Sequence, residues 1–179
     1  MYPVREDTLL LLEAASEEIR PSDQVLEVGV GSGYIARRLQ GNVAWIVTTD
    51  ISPYAVLKVK EANVDVLRTD LLAGICGAFD LILFNPPYLP TQPDERIADW
   101  LEYALDGGPT GREVITRFAG QAGSVLKEQG RILLVISSLT GQKEVERLFE
   151  HRGFTGQIVK ETEIEGEVLF VYRFRKISP

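Results

Sequence analysis

A chain of 179 residues, 45% hydrophobic and 25% charged, has the size and balance of one globular domain with a full core and leaves little room for a second. A single cysteine, Cys76, and a single histidine, His151, exclude an internal disulfide and an ordinary zinc site, so the expectation is a reducing, cytosolic setting and no bound metal. A formal net charge of -7 works against tight, sequence-independent binding to a phosphate backbone, and no uninterrupted apolar stretch approaches the roughly 20 residues of a membrane helix.

Along the chain, short apolar β-rich runs alternate with helical stretches, the pattern of a parallel sheet covered by helices on both faces. The order begins with a helix near Asp7–Glu18, a strand at Gln24–Val28, a helix at Ser32–Leu39, a strand at Ala44–Thr49, a helix at Pro53–Glu61, and strands at Val64–Arg68 and Phe79–Phe84. An irregular stretch from Asn85 to Gly111 follows; a loop of that length in a compact domain is usually functional, disordered, or hiding a short helix such as Asp94–Tyr103. Then come a helix at Arg112–Lys127, a strand at Arg131–Ser137, a helix at Gln142–His151, and strands at Thr155–Lys160 and Val168–Phe174. The last two strands are too close for a helical crossover and should pair as an antiparallel hairpin. The expected fold is α/β and doubly wound: one domain, residues 1–179, on a seven-stranded, mostly parallel sheet.

Two turns carry the chemistry. Glu27-Val28-Gly29-Val30-Gly31-Ser32-Gly33 links the first strand to its helix, where Gly29 and Gly31 permit a tight turn close to a ligand. Glycine spacing alone fits an ordinary turn, a dinucleotide site or another nucleoside ligand. Glu27, Asp50 and Asp70 stand at the ends of three successive strands, and Asp50 lies about 20 residues after the glycines, where a ribose-binding acid is expected. A lone Asp after a strand is more often a helix cap, but three in succession favour a ligand. The chain here resembles the class I S-adenosylmethionine-dependent methyltransferases. That resemblance implies Glu27 at the methionine amino end, Asp50 at the ribose, Asp70 with Leu71 at the adenine, and Ile51 as a further cofactor contact. A nicotinamide enzyme is the rival, but no hydride-transfer groups are found.

The second turn is Asn85-Pro86-Pro87-Tyr88, delivered by a buried strand at the end where open α/β sheets bind ligands. The prolines stiffen it and leave bare carbonyls. The Asn85 side-chain oxygen and the Pro86 carbonyl can each accept one hydrogen of a planar NH2 group, while Tyr88 and Pro87 line the acceptor and Tyr88 stacks on it. Asn85, Pro86 and Tyr88 are the catalytic candidates, and Asn85 also borders the cofactor. Similar motifs serve methylation of adenine, cytosine, guanine or protein glutamine.

Three segments narrow the choice: Tyr2-Pro3-Val4-Arg5-Glu6-Asp7-Thr8, Asn85-Pro86-Pro87-Tyr88-Leu89-Pro90 and Asp106-Gly107-Gly108-Pro109-Thr110-Gly111-Arg112. Together they are similar to the HemK family of protein-glutamine methyltransferases, in its short archaeal and eukaryotic branch. The resemblance implies the Gln of the Gly-Gly-Gln loop in class I translation termination factors as substrate, Thr8 as a cofactor contact, and a small zinc-binding activator of the Trm112 type as partner. Glu6-Asp7-Thr8 also reads as a helix cap. Longer bacterial members carry an N-terminal helical domain, and this chain starts almost at the core, so another surface or a partner is expected to compensate. The third strand should lie at an open sheet edge, apolar enough at Val64, Val66 and Leu67 to receive that partner. The Gly107–Arg112 loop is equally a substrate wall or a flexible connection, with Arg112 a minor contact candidate. His151 and the basic end Arg173, Arg175 and Lys176 read as solvated groups. Methylation of an exocyclic amine in RNA or DNA and a silent cofactor-binding subunit are the alternatives.

Overall fold

The computed structural model describes residues 4–91 and 106–177; the helix expected at Asp94–Tyr103 lies outside them. In chain order the described elements are α1 (Glu6–Glu18), β1 (Gln24–Val28), α2 (Tyr34–Leu39), β2 (Trp45–Asp50), α3 (Pro53–Glu61), β3 (Asp65–Arg68), β4 (Phe79–Phe84), α4 (Glu113–Val125), β5 (Leu126–Ser137), a 3-10 turn (Ser138–Thr140), α5 (Gln142–Glu150), β6 (Phe154–Ile164) and β7 (Glu167–Lys176). One seven-stranded sheet runs β3-β2-β1-β4-β5-β7-β6. Only β7 is reversed, pairing antiparallel with both β5 and β6. This is the doubly wound α/β architecture that the alternating pattern predicts, with β3 at an edge.

Local chemistry explains most boundaries. Ser52 caps α3, its side chain accepting from the Ala55 N–H, and Pro53 follows where a missing N–H does no harm. The N-cap of α1 is Arg5, which makes no side-chain cap, so Glu6 and Asp7 enter the first turn, where their charge complements the positive end of the helix dipole.

Two boundaries differ from the sequence reading by more than two residues. Strand β5 begins at Leu126, because buried Leu126 pairs with Phe79 and Lys127 reaches Asp80 at 2.7 Å; the polar run Lys127-Glu128-Gln129 masks this. Strand β6 runs on to Ile164, since Glu161, Thr162, Glu163 and Ile164 pair in turn with Phe170, Leu169, Val168 and Glu167. Charged residues suit such an edge strand, and they hide it in the sequence.

The register sets the site. Val28 lies opposite both Thr49 and Phe84, so β1 and β4 end at the level of Thr49, and Gly29, Asp50 (the last residue of β2) and Asn85 follow side by side. That level is also where the strand order reverses, β2 lying on one side of β1 and β4 on the other.

The opposite, amino ends are locked by ions. Arg131, 3% exposed, donates to Asp23 Oδ2 at 2.7 Å, to Glu18 Oε2 at 3.3 Å and to the Asp80 carbonyl at 3.1 Å. Arg173 adds a contact to the other oxygen of Glu18 at 2.5 Å, so part of the expected solvated basic end is instead tied to α1. Removing one member of a buried pair strands the other's charge. Arg131→Met should therefore lower the unfolding free energy by about 3–5 kcal/mol, seen as an earlier urea midpoint at unchanged slope.

Candidate active site

The glycine turn is built on Asp50. Gly31 N–H donates to Asp50 Oδ2 at 2.9 Å and Ser52 N–H to Oδ1 at 2.8 Å, while Val30 N–H bonds the Thr49 carbonyl. Gly31 needs its glycine, with φ of +52°, a region costly for other residues. Both Asp50 oxygens thus already hold backbone, yet each keeps a second lone pair that can face a ribose. Burial pushes the Asp50 carboxyl above the usual carboxylate range, partly offset by these N–H donors.

Among the described residues, three buried oxygens at these strand ends, Glu27 Oε2, Thr49 Oγ1 and Asn85 Oδ1, have no hydrogen-bond partner, nor has Glu167 Oε2 at the start of β7. Unsatisfied buried oxygens are rare in a finished interior and mark where a bound group completes the count. Glu27, opposite Leu83 in register, and Asn85, two residues past Leu83, share one side of the pleat. Burial raises the Glu27 carboxyl to about 8; the Ala36 N–H and Arg37 pull it down, and Asp50 pushes it further up. A cation with N–H donors would satisfy Glu27, and a planar NH2 group would satisfy Asn85. The residues present therefore fit an S-adenosylmethionine molecule beside an amide.

The acceptor loop is clamped by the chain itself. Tyr88 is buried at 7% exposure, and its hydroxyl donates to Asp7 Oδ2 at 3.2 Å across 81 residues. The Tyr88 carbonyl accepts from Thr140 Oγ1 at 2.9 Å, and Arg112 in turn donates to the Thr140 carbonyl. A Cβ at Gly107 would stand 2.5 Å from the Leu89 carbonyl and 2.9 Å from that of Pro87, and one at Gly111 would run into the Tyr88 carbonyl. The glycine loop is thus a packed wall of the acceptor turn rather than a slack connection, and Arg112 is a brace. Thr8, next to Asp7, sends its N–H to Asp7 Oδ1 at 2.6 Å.

At the next strand end, Asp70 is held by Arg117 of α4, and Leu71 adopts φ of +52°. That conformation costs a non-glycine residue about 1–2 kcal/mol and persists only where neighbours impose it. Ile51 is half-buried beside Asp50, and its carbonyl accepts from Arg68 Nε at 3.3 Å. The structure thus brings Glu27, Gly29, Gly31, Asp50, Ile51 and Asn85 to one strand-end level, with Asp70 and Leu71 beyond β3. Thr8 and Tyr88 join through Asp7. His151 lies apart, exposed at the end of α5. Sequence reasoning did not find Thr49, Asp7 as the Tyr88 partner, or Thr140; only Asp7 had a signal, its place beside Thr8.

Residues 4–100 match the methyltransferase small domain family. A chain of Methanocaldococcus jannaschii named as a protein N5-glutamine methyltransferase is 40% identical, over 96% of this chain and 89% of its own length. Methyltransferase HEMK2 of Mus musculus is 34% identical over 98% and 90%. Among solved structures, the Mtq2-Trm112 complex of E. cuniculi, responsible for methylating the termination factor eRF1, superposes with a TM-score of 0.82 at 31% identity, covering 98% of both chains. With the strand-end acids, the glycine turn and the Asn85 motif in place, the chain belongs to the HemK family of protein-glutamine methyltransferases, S-adenosylmethionine-dependent enzymes of class I fold.

Proposed function

We propose that this chain methylates the side-chain amide of the Gln in the Gly-Gly-Gln loop of a class I translation termination factor. The observation that carries the reading is the buried, partnerless Asn85 Oδ1 at the tip of β4. Asn85 Oδ1 and the Pro86 carbonyl each accept one N–H of the substrate amide, which fixes the plane and direction of its nitrogen. Tyr88 and Pro87 form the wall against that amide, with Tyr88 held at its hydroxyl by Asp7. On the cofactor side, Glu27 takes the amino end, Asp50 the ribose, Asp70 and Leu71 the adenine; Gly29 and Gly31 leave room, and Ile51 and Thr8 close around it. The bound S-adenosylmethionine supplies a methyl group on a positive sulfur. Alignment of the nitrogen can then provide about 7–11 kcal/mol of the barrier without a strong base, and the surplus proton leaves to water. The chain works in the cytoplasm as one methyltransferase domain.

The partner is a small zinc-binding protein of the Trm112 type, seated on the β3 edge. Leu67 and Trp45 are 51% and 45% exposed there, and with Val66, Ile75, Cys76 and Phe79 they line a groove of about 460 Å³. The unpaired backbone of β3 offers hydrogen bonds, and the groove offers apolar contact. The Mtq2 relative is likewise found with Trm112.

Purified enzyme should transfer labelled methyl to termination factor and not to a factor whose Gln is replaced; transfer to tRNA, rRNA or DNA instead would establish the nucleic-acid reading. Asn85→Ala should lose on the order of 100-fold or more in turnover while keeping much of its cofactor affinity, measured by single-turnover label transfer and calorimetry. Val66→Lys should prevent co-purification with the partner; a fully active monomer, or a homodimer through this edge, would argue against it. Glu27 gives a pH test. Between about pH 4.5 and 8 the unfolded chain has released this proton while the folded chain keeps it, so its contribution to stability is complete below that window and is lost as pH rises through it. The slope is at most about 1.4 kcal/mol per pH unit, and Glu27→Gln should flatten it in ligand-free denaturation curves. Binding of the cationic cofactor should release a proton near pH 7, seen by calorimetry in buffers of different ionisation enthalpy.

A further inference from the structure

We propose that Gln121, on α4, is a positioning residue for the adenine end of the cofactor site, holding the Asp70–Leu72 turn in the conformation that meets the base. The inference rests on the reading of Asp70 and Leu71 as adenine contacts. Gln121 lies outside every motif that the sequence singles out.

The turn after β3 is tied to β2 by Thr69 N–H to the Asp50 carbonyl at 3.0 Å and is otherwise bound mostly within itself: Thr69 Oγ1 to Ala73 O at 2.6 Å, Ala73 N–H to Asp70 O at 3.1 Å and Ile75 N–H to Leu72 O at 3.1 Å. The Leu72 N–H is instead taken by Gln121 Oε1 at 3.0 Å, a bond that reaches across 49 residues. It sits one residue after Leu71, whose positive φ has no glycine to ease it. Leu72 itself is buried, so its N–H has little water to turn to.

The hand that holds this turn has a fixed base. Helix α4 buries Ile115, Phe118, Ala119, Ala122 and Val125, and the Phe118 ring lies 4.7 Å from that of Phe84, the last residue of β4. Arg117, four residues before Gln121 and so on the same helix face, grips the Asp70 carboxylate. That ion pair is about half exposed on both sides and therefore weak, which leaves the neutral Gln121 bond as the firmer restraint. The same helix begins at the Gly107–Arg112 wall of the acceptor loop, so one element braces both ends of the site. Without Gln121, the Leu71 backbone is free to relax to negative φ, carrying the Asp70 carboxylate and the Leu71 amide away from the base.

The test compares two ligands on the intact protein: S-adenosylhomocysteine and S-inosylhomocysteine, which replaces the adenine amine with an oxygen. Wild type should prefer the adenine form. Gln121→Leu should weaken S-adenosylhomocysteine about tenfold, the worth of roughly one hydrogen bond, while changing the inosine form little, so the preference collapses. Gln121→Glu keeps an acceptor oxygen at the same reach and should restore most of the preference. Equal weakening of both ligands by Gln121→Leu, as general loosening would give, overturns the proposal, and so does an unchanged preference. A wild-type protein that bound neither ligand would overturn the cofactor reading itself, and this one with it.

Discussion

Everything at the site depends on the register that aligns the carboxyl ends of β1, β2 and β4. Parallel strands have evenly spaced hydrogen bonds, so a register that sets Val28 opposite Thr49 and Phe84 brings the next residue of each strand together. Those residues are Gly29, Asp50 and Asn85, a turn, a carboxylate and an amide. A slip of one residue in any strand would turn its side chains to the other face, separating Glu27 from Asn85. The buried, near-continuous apolar sequences of β1 and β4 resist that slip, since each position has a packed neighbour.

The two ends of the sheet treat polar groups differently. At the amino ends Asp23, Glu18, Arg131 and Asp80 satisfy one another, and Asp80 also accepts from the Gln24 N–H at 2.9 Å. At the carboxyl ends Glu27, Thr49 and Asn85 each keep a buried oxygen with no partner among the described residues. The first end serves stability, because every buried charge has its counter-charge. The second carries a free-energy cost in the ligand-free state, relieved when donors arrive. The raised Glu27 carboxyl is the electrostatic face of the same fact: burial disfavours its anion and holds the group in the neutral form well above the usual carboxylate range.

Rigidity reaches the acceptor loop by accounting for its carbonyls. Two prolines remove N–H groups from the loop, so its oxygens must be met from elsewhere. Thr140 meets the Tyr88 carbonyl, and Gly107 and Gly111 allow their backbone to lie against the carbonyls of Pro87, Tyr88 and Leu89. Asp7 then pins the Tyr88 hydroxyl from the far end of the chain, which links the opening helix to the acceptor side. The Asn85 side chain, with its Oδ1 unpaired, thus projects from a frame with little freedom of its own.

Much of this was legible in the sequence because it is local. Period-2 and period-3.6 patterns placed the strands and helices, and Gln24–Val28, Phe79–Phe84 and Pro53–Glu61 needed no revision. Glycines, strand-end acids and the Asn85 motif announced themselves because their chemistry requires those residue types at fixed offsets from a strand. Where polarity contradicted pairing, the sequence alone read a helix end and loop at Lys127–Gln129 and loop at Glu161–Glu163; the pairing of Leu126 with Phe79, and of Glu161–Glu163 with Phe170–Val168, decided strand. The same holds for Asp7 with Tyr88, Thr140 with the Tyr88 carbonyl, and Gln121 with Leu72, separated by 81, 52 and 49 residues. Local sequence determines which groups stand at the strand ends, since those depend on propensity and turn chemistry; tertiary structure alone decides which distant side chain satisfies each of them, since hydrogen bonds are settled by position in space and not along the chain.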